Sequence, residues 1–199
     1  MAGLVKKNLP SGLPRLILEG FRITLRPPRR EDGAAWLSVR EENRLYLKPF
    51  EPAWPRDAAE PAYFNRRLEL QAADWTNGRS LPFLIFLADG TLIGGVNINN
   101  ICRGAAQFAS LGYWLGEQAQ GHGYMAEALQ LVLYHGFTAL KLHRFHAACL
   151  PHNDRSRSLL LKSGFQEEGH AAKYMEINGQ WQDHILFGLP VENWKGAAV

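Results

Sequence analysis

The chain has 199 residues, of which 46% are hydrophobic and 21% are charged, and its formal net charge is +3 at pH 7. This composition is ordinary for one soluble globular domain, and it argues against a disordered chain, a collagen-like repeat or a disulfide-stapled miniprotein. The two cysteines, Cys102 and Cys149, are expected to be reduced thiols. No apolar run reaches the length of a membrane span and no signal-peptide pattern is found, so we expect a cytoplasmic protein.

The first quarter of the chain is predicted to hold one strand and one short helix between irregular segments. Residues 1–20 carry prolines and glycines without a clean hydrophobic period, so we expect an N-terminal extension there. Alternating apolar and polar residues predict a strand at 21–26, and a short helix is predicted from near Arg30. Three prolines and three aromatic residues within 45–55 favour an irregular loop, either anchored on the core or lining a substrate mouth.

The rest of the chain reads as alternating helices and strands. Residues Asp57–Glu60 resemble a capping box, which predicts a helix running through about Trp75. The other predicted elements are strands at 82–88, 91–98, 108–115, 143–150, 165–177 and 180–189, and helices at 124–140 and 153–164. The last two strands flank the turn Asn178-Gly179. This order predicts an α+β fold with a mixed, mostly antiparallel, seven-stranded sheet and about four helices. We expect one domain over residues 21–190 and a C-terminal tail over 191–199.

The most informative segment is a glycine-rich turn, Gln118–Gly123, between a predicted strand and a predicted helix. Backbone N–H groups at a helix start have no internal partner, and glycine lets the backbone approach a phosphate closely. A Walker A loop is excluded because Tyr124 follows Gly123 where that motif has Lys. A dinucleotide-binding fingerprint also requires an acidic residue in the next strand, and residues 143–150 contain none. An acetyl-CoA loop of the form Gln-x-x-Gly-x-Gly and an ordinary turn are the readings that remain.

The chain resembles the GNAT superfamily of N-acetyltransferases, and more closely the bacterial ribosomal-protein-alanine N-acetyltransferases. The resemblance covers residues 22–189. It is carried by the segments 42–52 (ENRLYLKPFEP), 118–123 (QAQGHG), 151–156 (PHNDRS) and 178–184 (NGQWQDH). The loop together with Asn-x-x-Ser downstream is a strong signature of the superfamily.

This resemblance implies a splayed sheet that binds acetyl-CoA as cosubstrate between the strands 108–115 and 143–150. The residues it matches to the cofactor site are Leu115, Gln118, Gln120, Gly121, His122, Gly123, Tyr124 and Asn153. The backbone N–H near Leu115 is expected to polarise the thioester carbonyl. His122 departs from the family, which often has a basic residue there, so we expect backbone amides to be the main phosphate donors.

Five side chains are candidates for the chemistry. By resemblance, Asn153 holds the pantetheine arm and Ser156 hydrogen-bonds the leaving thiolate, and their i,i+3 spacing places them on one helix face. Asn153 can at the same time cap that helix, and a plain first-turn serine is the alternative for Ser156. Glu42 is our candidate for a carboxylate that acts on the amine through water, with Tyr113 and Asp183 as weaker candidates.

The acceptor that the resemblance implies is a peptide N-terminal α-amine, on an alanine of a ribosomal protein. Because the pKa of such an amine is about 7.7–8.0, roughly a tenth or more of it is neutral at pH 7, whereas a lysine amine is neutral about once in several thousand. Direct transfer to an α-amine therefore needs little help from a general base. The alternatives are a small amine such as a polyamine or aminoglycoside, and a non-catalytic acyl-CoA-binding or ribosome-assembly module.

The charge pattern and the histidine spacing bear on possible partners and metals. The basic residues near the N-terminus are compatible with ribosome association, and we expect no specific DNA binding, no membrane binding, and a monomer or homodimer. His143 and His146 point to opposite faces of one strand, and no Cys/His cluster is present, so we expect no metal.

Overall fold

The computed structural model describes residue 13 and residues 15–196, so most of the predicted extension and residues 197–199 lie outside the described part. Eight strands form one sheet. The strands are β1 (Leu18–Glu19), β2 (Ile23–Arg26), β3 (Leu81–Leu87), β4 (Leu92–Cys102), β5 (Phe108–Leu115), β6 (Arg144–Cys149), β7 (Gln166–Ile177) and β8 (Gln180–Pro190). The α-helices are α1 (Gly33–Glu42), α2 (Arg44–Leu47), α3 (Pro61–Thr76), α4 (Tyr124–Thr138) and α5 (Asp154–Lys162).

The sheet opens between β5 and β6, its fifth and sixth strands. The order is β1-β2-β3-β4-β5-β6-β8-β7, and every pair is antiparallel except β5 with β6, which α4 connects. That parallel pairing extends only from Phe108↔Arg144 to Ser110↔His146. Beyond it, β5 continues to Leu115 and β6 to Cys149 without pairing to each other, so a gap forms between these two strands. The predicted α+β class and the splay are both confirmed.

Both faces of the sheet are covered, as the alternation along β3 shows. Phe83 and Ile85 belong to the large core that also contains the buried face of α4. Leu84 and Phe86 point the other way, into a smaller cluster with Trp36 of α1 and a buried aromatic of α3. A strand buried on both sides needs a nearly continuous apolar run, which is what the sequence of β3 provides.

The element count exceeds the prediction by one strand and one helix. The extra strand, β1, lies within the predicted extension and pairs with β2. The extra helix, α2, lies in the segment predicted as a loop, followed by a 3-10 helix at Lys48–Phe50. The loop prediction is therefore wrong for residues 45–50, because Pro49 sits in a first turn, where its missing N–H costs no hydrogen bond.

The predicted capping box is also wrong. Helix α3 begins at Pro61, whose fixed φ suits a first helical position, and its N-cap residue Glu60 makes no side-chain capping bond. Asp57 binds Arg66 instead. The Asn178-Gly179 turn is confirmed, with φ of 48° and 79°, and its positive φ values match the twist of a two-residue hairpin.

Candidate active site

A cavity of about 400 Å³ lies where β5 and β6 diverge. The end of β5, the start of α5, and the segment from α2 to Glu51 line it. Five of the residues singled out from the sequence meet in this lining. They are Tyr113, Leu115, Gln120, Asn153 and Ser156.

Tyr113 and Ser156 form a hydrogen-bonded pair across the gap. Their side-chain oxygens are 2.7 Å apart, and either hydroxyl can be the donor. Burial raises the pKa of Tyr113 well above its ordinary value, and the Ser156 hydrogen bond offsets only part of that rise. The phenol therefore stays neutral at physiological pH and can orient the serine hydroxyl without carrying a charge itself.

Ser156 is held by the start of α5. The Ser156 backbone N–H donates to Asn153 Oδ1 at 3.1 Å, which confirms Asn153 as the N-cap residue. Cys149, at the end of β6, lies beside the same serine, and burial raises the pKa of its thiol. Cys149 is therefore a neutral thiol at physiological pH, as expected for packing.

The backbone of Leu115 faces the gap. The next residue, Gly116, donates its N–H to Ile93 of β4 at 2.9 Å. Because successive N–H groups of a strand point to opposite edges, the Leu115 N–H points towards β6, which has already diverged. The Leu115 carbonyl also faces this edge and accepts a 3.4 Å bond from Gln120 Nε2. The Leu115 N–H is thus placed to donate to an oxygen bound in the cavity.

The glycine-rich turn has the geometry of an anion-binding loop. Gly121 and Gly123 have φ of 79° and 80°, which disfavours any residue with a side chain, and Gly123 is the N-cap of α4. The N–H groups of residues 121–126 have no acceptor among the described residues. They meet the positive end of the dipole of a helix of 15 residues. Backbone donors and helix dipole together suit a diphosphate, so the loop fits the phosphates of acetyl-CoA.

Two residues that support this loop were missed from the sequence. Asn43, which follows α1, accepts a 2.6 Å bond from the Glu117 N–H and donates to Val39 O at 2.8 Å, so it ties α1 to the loop. Arg22, just before β2, donates to the His122 carbonyl oxygen at 2.7 Å. The Asn43 contact joins positions 74 residues apart and the Arg22 contact positions 100 residues apart, so no local sequence pattern predicts either.

The predicted carboxylates do not meet in the cavity. Glu42 is exposed, and its carboxylate accepts a 2.6 Å bond from Ser38 Oγ. Asp183 accepts a bond from the Lys173 N–H and lies near His170. Neither lines the cavity. Glu51 does, and the sequence reasoning did not select it.

Glu51 is fixed by a cation and two other groups. Arg40 donates to both of its carboxylate oxygens at 2.6 Å, and Trp54 Nε1 donates to Oε2 at 2.8 Å. The Glu51 carbonyl accepts a 2.8 Å bond from the N–H of Asn178, at the tip of the β7–β8 hairpin. The Arg40 guanidinium is 4.2 Å from the Trp54 ring centroid. This network holds one anionic side chain rigidly at the cavity wall.

The part of the predicted loop that forms α2 and the following 3-10 helix covers the cavity. Arg155 donates to the Tyr46 hydroxyl at 3.1 Å, and the Phe50 and His152 rings lie 6.2 Å apart. These contacts join the covering segment to the start of α5 on the other side of the gap. Of the three aromatic residues in the predicted loop, Tyr46 and Phe50 therefore line the cavity, whereas Trp54 packs on Arg40 and Glu51.

Two further findings concern residue 13 and residues 15–196. No group of three or more His, Cys, Asp or Glu side chains in this part is arranged to hold a metal ion. Among its helices, none combines the length and the apolar character needed to cross a bilayer.

Comparison with known proteins agrees with the geometry. The acetyltransferase (GNAT) domain family matches residues 22–166. The chain is 34% identical, over 92% of its length and 95% of the relative's, to the ribosomal protein uS5-alanine N-acetyltransferase of Escherichia coli (strain K12).

Two solved structures are similar over most of the chain. Mycobacterium smegmatis RimJ in complex with CoA-disulfide superposes with a TM-score of 0.85 at 36% identity, covering 93% of this chain and 89% of that one. The ribosomal-protein-S5-alanine acetyltransferase from Vibrio fischeri superposes with a TM-score of 0.83 at 30% identity, covering 90% and 99%. The chain therefore belongs to the GNAT acetyltransferase family and is similar to ribosomal-protein-alanine N-acetyltransferases.

Proposed function

We propose that this protein transfers acetyl groups from acetyl-CoA to the N-terminal α-amine of a peptide, on an alanine of a ribosomal protein. The observation that carries the proposal is the cavity at the splay, where the Tyr113–Ser156 pair, the Leu115 N–H and Asn153 converge. Relatives that are 34% and 30% identical, named as alanine acetyltransferases of ribosomal protein uS5 or S5, support the choice of acceptor.

Two parts of the site are proposed to bind different portions of acetyl-CoA. The turn at Gln118–Gly123 and the start of α4 at Tyr124 are proposed to hold the diphosphate through backbone N–H groups. Asn153 and the free edge of β5 are proposed to hold the pantetheine arm, because an extended chain can hydrogen-bond to an unpaired strand edge. Bound acetyl-CoA supplies a thioester whose carbonyl carbon the acceptor amine attacks directly.

Two groups of the chain are proposed to stabilise charge that develops during transfer. The Leu115 N–H donates to the carbonyl oxygen as it becomes negative. Ser156 Oγ donates to the departing sulfur, with Tyr113 donating to Ser156 in turn and setting the direction of its hydroxyl. The raised pKa of Tyr113 suits this positioning role, because the phenol remains a hydrogen-bond donor over the whole working pH range.

On the acceptor side, we propose Glu51 as the carboxylate that faces the amine. Its place in the cavity wall and its bonds to Arg40 and Trp54 fix an anionic oxygen before substrate binds. An α-amine needs only weak assistance to lose its proton near pH 7, so a carboxylate acting through water is sufficient. Glu42 remains the competing candidate, although its carboxylate is bonded to Ser38 outside the cavity.

The charge of the cavity favours a peptide terminus over a polyamine. Its lining contains two carboxylates, Glu51 and Asp154, and Arg40 already pairs with Glu51. Arg155 adds a positive charge to the same wall. Several unpaired carboxylates would be needed to attract a polycation, whereas one suffices for a single α-ammonium group.

A peptide panel tests the proposal. Each peptide carries one internal lysine, and the N-terminal residue is a free alanine, a free residue of another type, or an acetyl-blocked alanine. We expect acetylation at the free alanine terminus and none on lysine, measured by mass spectrometry. Efficient acetylation of blocked peptides, or of spermidine in preference to every peptide, would reject the α-amine assignment.

A further inference from the structure

Arg22 sits against the glycine-rich loop from a distant part of the sequence. Its Nη1 donates to the His122 carbonyl oxygen at 2.7 Å, and its Nε donates to Glu127 Oε2 at 3.0 Å. Its backbone N–H donates to Glu127 Oε1 at 2.8 Å. The guanidinium carbon is 5.1 Å from the Tyr124 ring centroid. Arg22 therefore contacts the last turn of the loop and the first turn of α4 at the same time.

The bond to His122 fixes the direction of a donor. In a trans peptide unit, the C=O and the following N–H point in opposite directions. Because the His122 carbonyl points towards Arg22, the N–H of Gly123 points away from it. That N–H has no acceptor among the described residues. Arg22 thus holds the peptide in the orientation that leaves the Gly123 donor available to an anion.

The bonds from Arg22 to Glu127 neutralise a negative charge that would repel a bound phosphate. Glu127 lies in the first turn of α4, and its side chain is only 16% exposed. A carboxylate there interacts well with the helix dipole, but it also repels a phosphate bound at the same end. Pairing with Arg22 removes most of this repulsion and leaves the positive end of the helix for the ligand.

The Arg22 guanidinium also lies beside a loop that has no permanent positive charge of its own. The loop Gln118–Gly123 contains neither Lys nor Arg, so it brings no permanent positive side chain. The Arg22 guanidinium lies next to His122, and its Nη2 is 3.3 Å from the point where a Cβ on Gly123 would lie. Arg22 therefore lies directly beside the loop, although its charge is balanced by Glu127.

We propose that Arg22 is a positioning residue for acetyl-CoA, which keeps the loop in its anion-binding shape and neutralises Glu127. The proposal rests on the assignment of the loop to the diphosphate. It concerns binding of the nucleotide end of the cosubstrate and leaves the acetyl-transfer step itself unchanged.

The test compares Arg22→Met with the wild type on two acetyl donors. Acetyl-CoA contains the diphosphate, whereas S-acetyl-pantetheine lacks it. We expect the acetyl-CoA Kd from calorimetry to rise about tenfold or more, while kcat at saturating acetyl-CoA and kcat/KM for S-acetyl-pantetheine stay at wild-type values. Arg79→Met is the matched control, since Arg79 is an exposed residue paired with Asp74 on another part of the surface.

Removal of the partner charge completes the test. If Arg22 screens Glu127, the double variant Arg22→Met/Glu127→Gln recovers much of the affinity lost in Arg22→Met. An absence of recovery would overturn the neutralising role, and an equal loss with both donors would show general distortion and overturn the positioning role. An unchanged acetyl-CoA Kd in Arg22→Met would also overturn the proposal, whereas a wild-type protein that binds no acetyl-CoA would overturn the proposed function. If Arg22→Met does not fold, Arg22→Lys serves the same comparison, because a single ammonium cannot bridge His122 and Glu127 as the guanidinium does.

Discussion

Replacing Ser156 by alanine separates catalysis from folding at this site. The serine hydroxyl carries the proposed bond to the leaving sulfur, whereas the capping bond from Asn153 uses the Ser156 backbone N–H. Ser156→Ala therefore keeps the start of α5. The local loss is the 2.7 Å bond to Tyr113, which leaves a half-buried phenol without its partner.

The size of the expected loss in kcat follows from the negative charge on the leaving sulfur. A hydrogen bond to a charged group contributes about 1.5–3 kcal/mol, and each 1.36 kcal/mol is a factor of ten in rate. We expect kcat to fall about 10- to 150-fold. The KM values for acetyl-CoA and peptide change little, because the bond strengthens only as negative charge develops on sulfur.

Steady-state kinetics with an alanine-terminal peptide, after circular dichroism has shown a folded variant, measures this effect. Ser158→Ala is the matched control, because Ser158 is an exposed residue of the same helix. Tyr113→Phe is expected to give a smaller loss of kcat, since the serine hydroxyl remains but its direction is less fixed. A wild-type kcat in folded Ser156→Ala would refute the role of Ser156 in transfer and leave it as an ordinary first-turn serine.

Three further predictions address the loop, the phenol and the acceptor side. Gly123→Val is expected to abolish measurable acetyl-CoA binding in calorimetry, because a β-branched residue is strained at φ of 80°, whereas Gly104→Val, at φ of 71° in open space, keeps wild-type affinity. Tyr113 is expected to stay protonated in the folded protein above pH 10, so the tyrosinate absorbance of the wild type and of Tyr113→Phe should coincide there. Because the pKa of Tyr113 is higher in the folded than in the unfolded state, its contribution to the free energy of unfolding is complete below about pH 10 and falls as pH rises further. Glu51→Gln is expected to lower kcat/KM for peptide about tenfold or more while leaving the acetyl-CoA Kd unchanged, and a loss confined to Glu42→Gln would contradict this assignment.

The sequence predicts those parts of the fold that local chemistry determines. Asn178-Gly179 marks a hairpin because both residues accept positive φ, and the apolar run of β3 marks a strand buried on both faces. The two-residue β1 was not predicted, because its pairing with β2 depends on a neighbour and not on its own pattern. The same holds for α2, where the prolines suggested a loop but Pro49 sits at a position that tolerates it.

The candidate site divides in the same way. The donors of an anion-binding loop are backbone N–H groups that lie next to each other in the chain, so the spacing of Gly121 and Gly123 predicts their position. The residues that hold this loop, Arg22 and Asn43, come from elements far away in sequence and depend on how the sheet and α1 pack against it. Spacing contains no information on such contacts.

The acceptor side shows most clearly where sequence reasoning stops. Part of the segment from Glu42 to Glu51 lines the cavity. Which of its carboxylates reaches the cavity depends on the direction in which each side chain points. At the end of α1, Glu42 projects to solvent and bonds back to Ser38, while the adjacent Asn43 points inward to the loop. The chain must then turn through α2 and a 3-10 helix before Glu51 reaches the cavity, where Arg40, two residues before the end of α1, holds it. A one-residue change in helix phase would exchange the directions of Glu42 and Asn43. Residue type alone therefore could not distinguish Glu42, which faces solvent, from Glu51, which lies at the cavity wall.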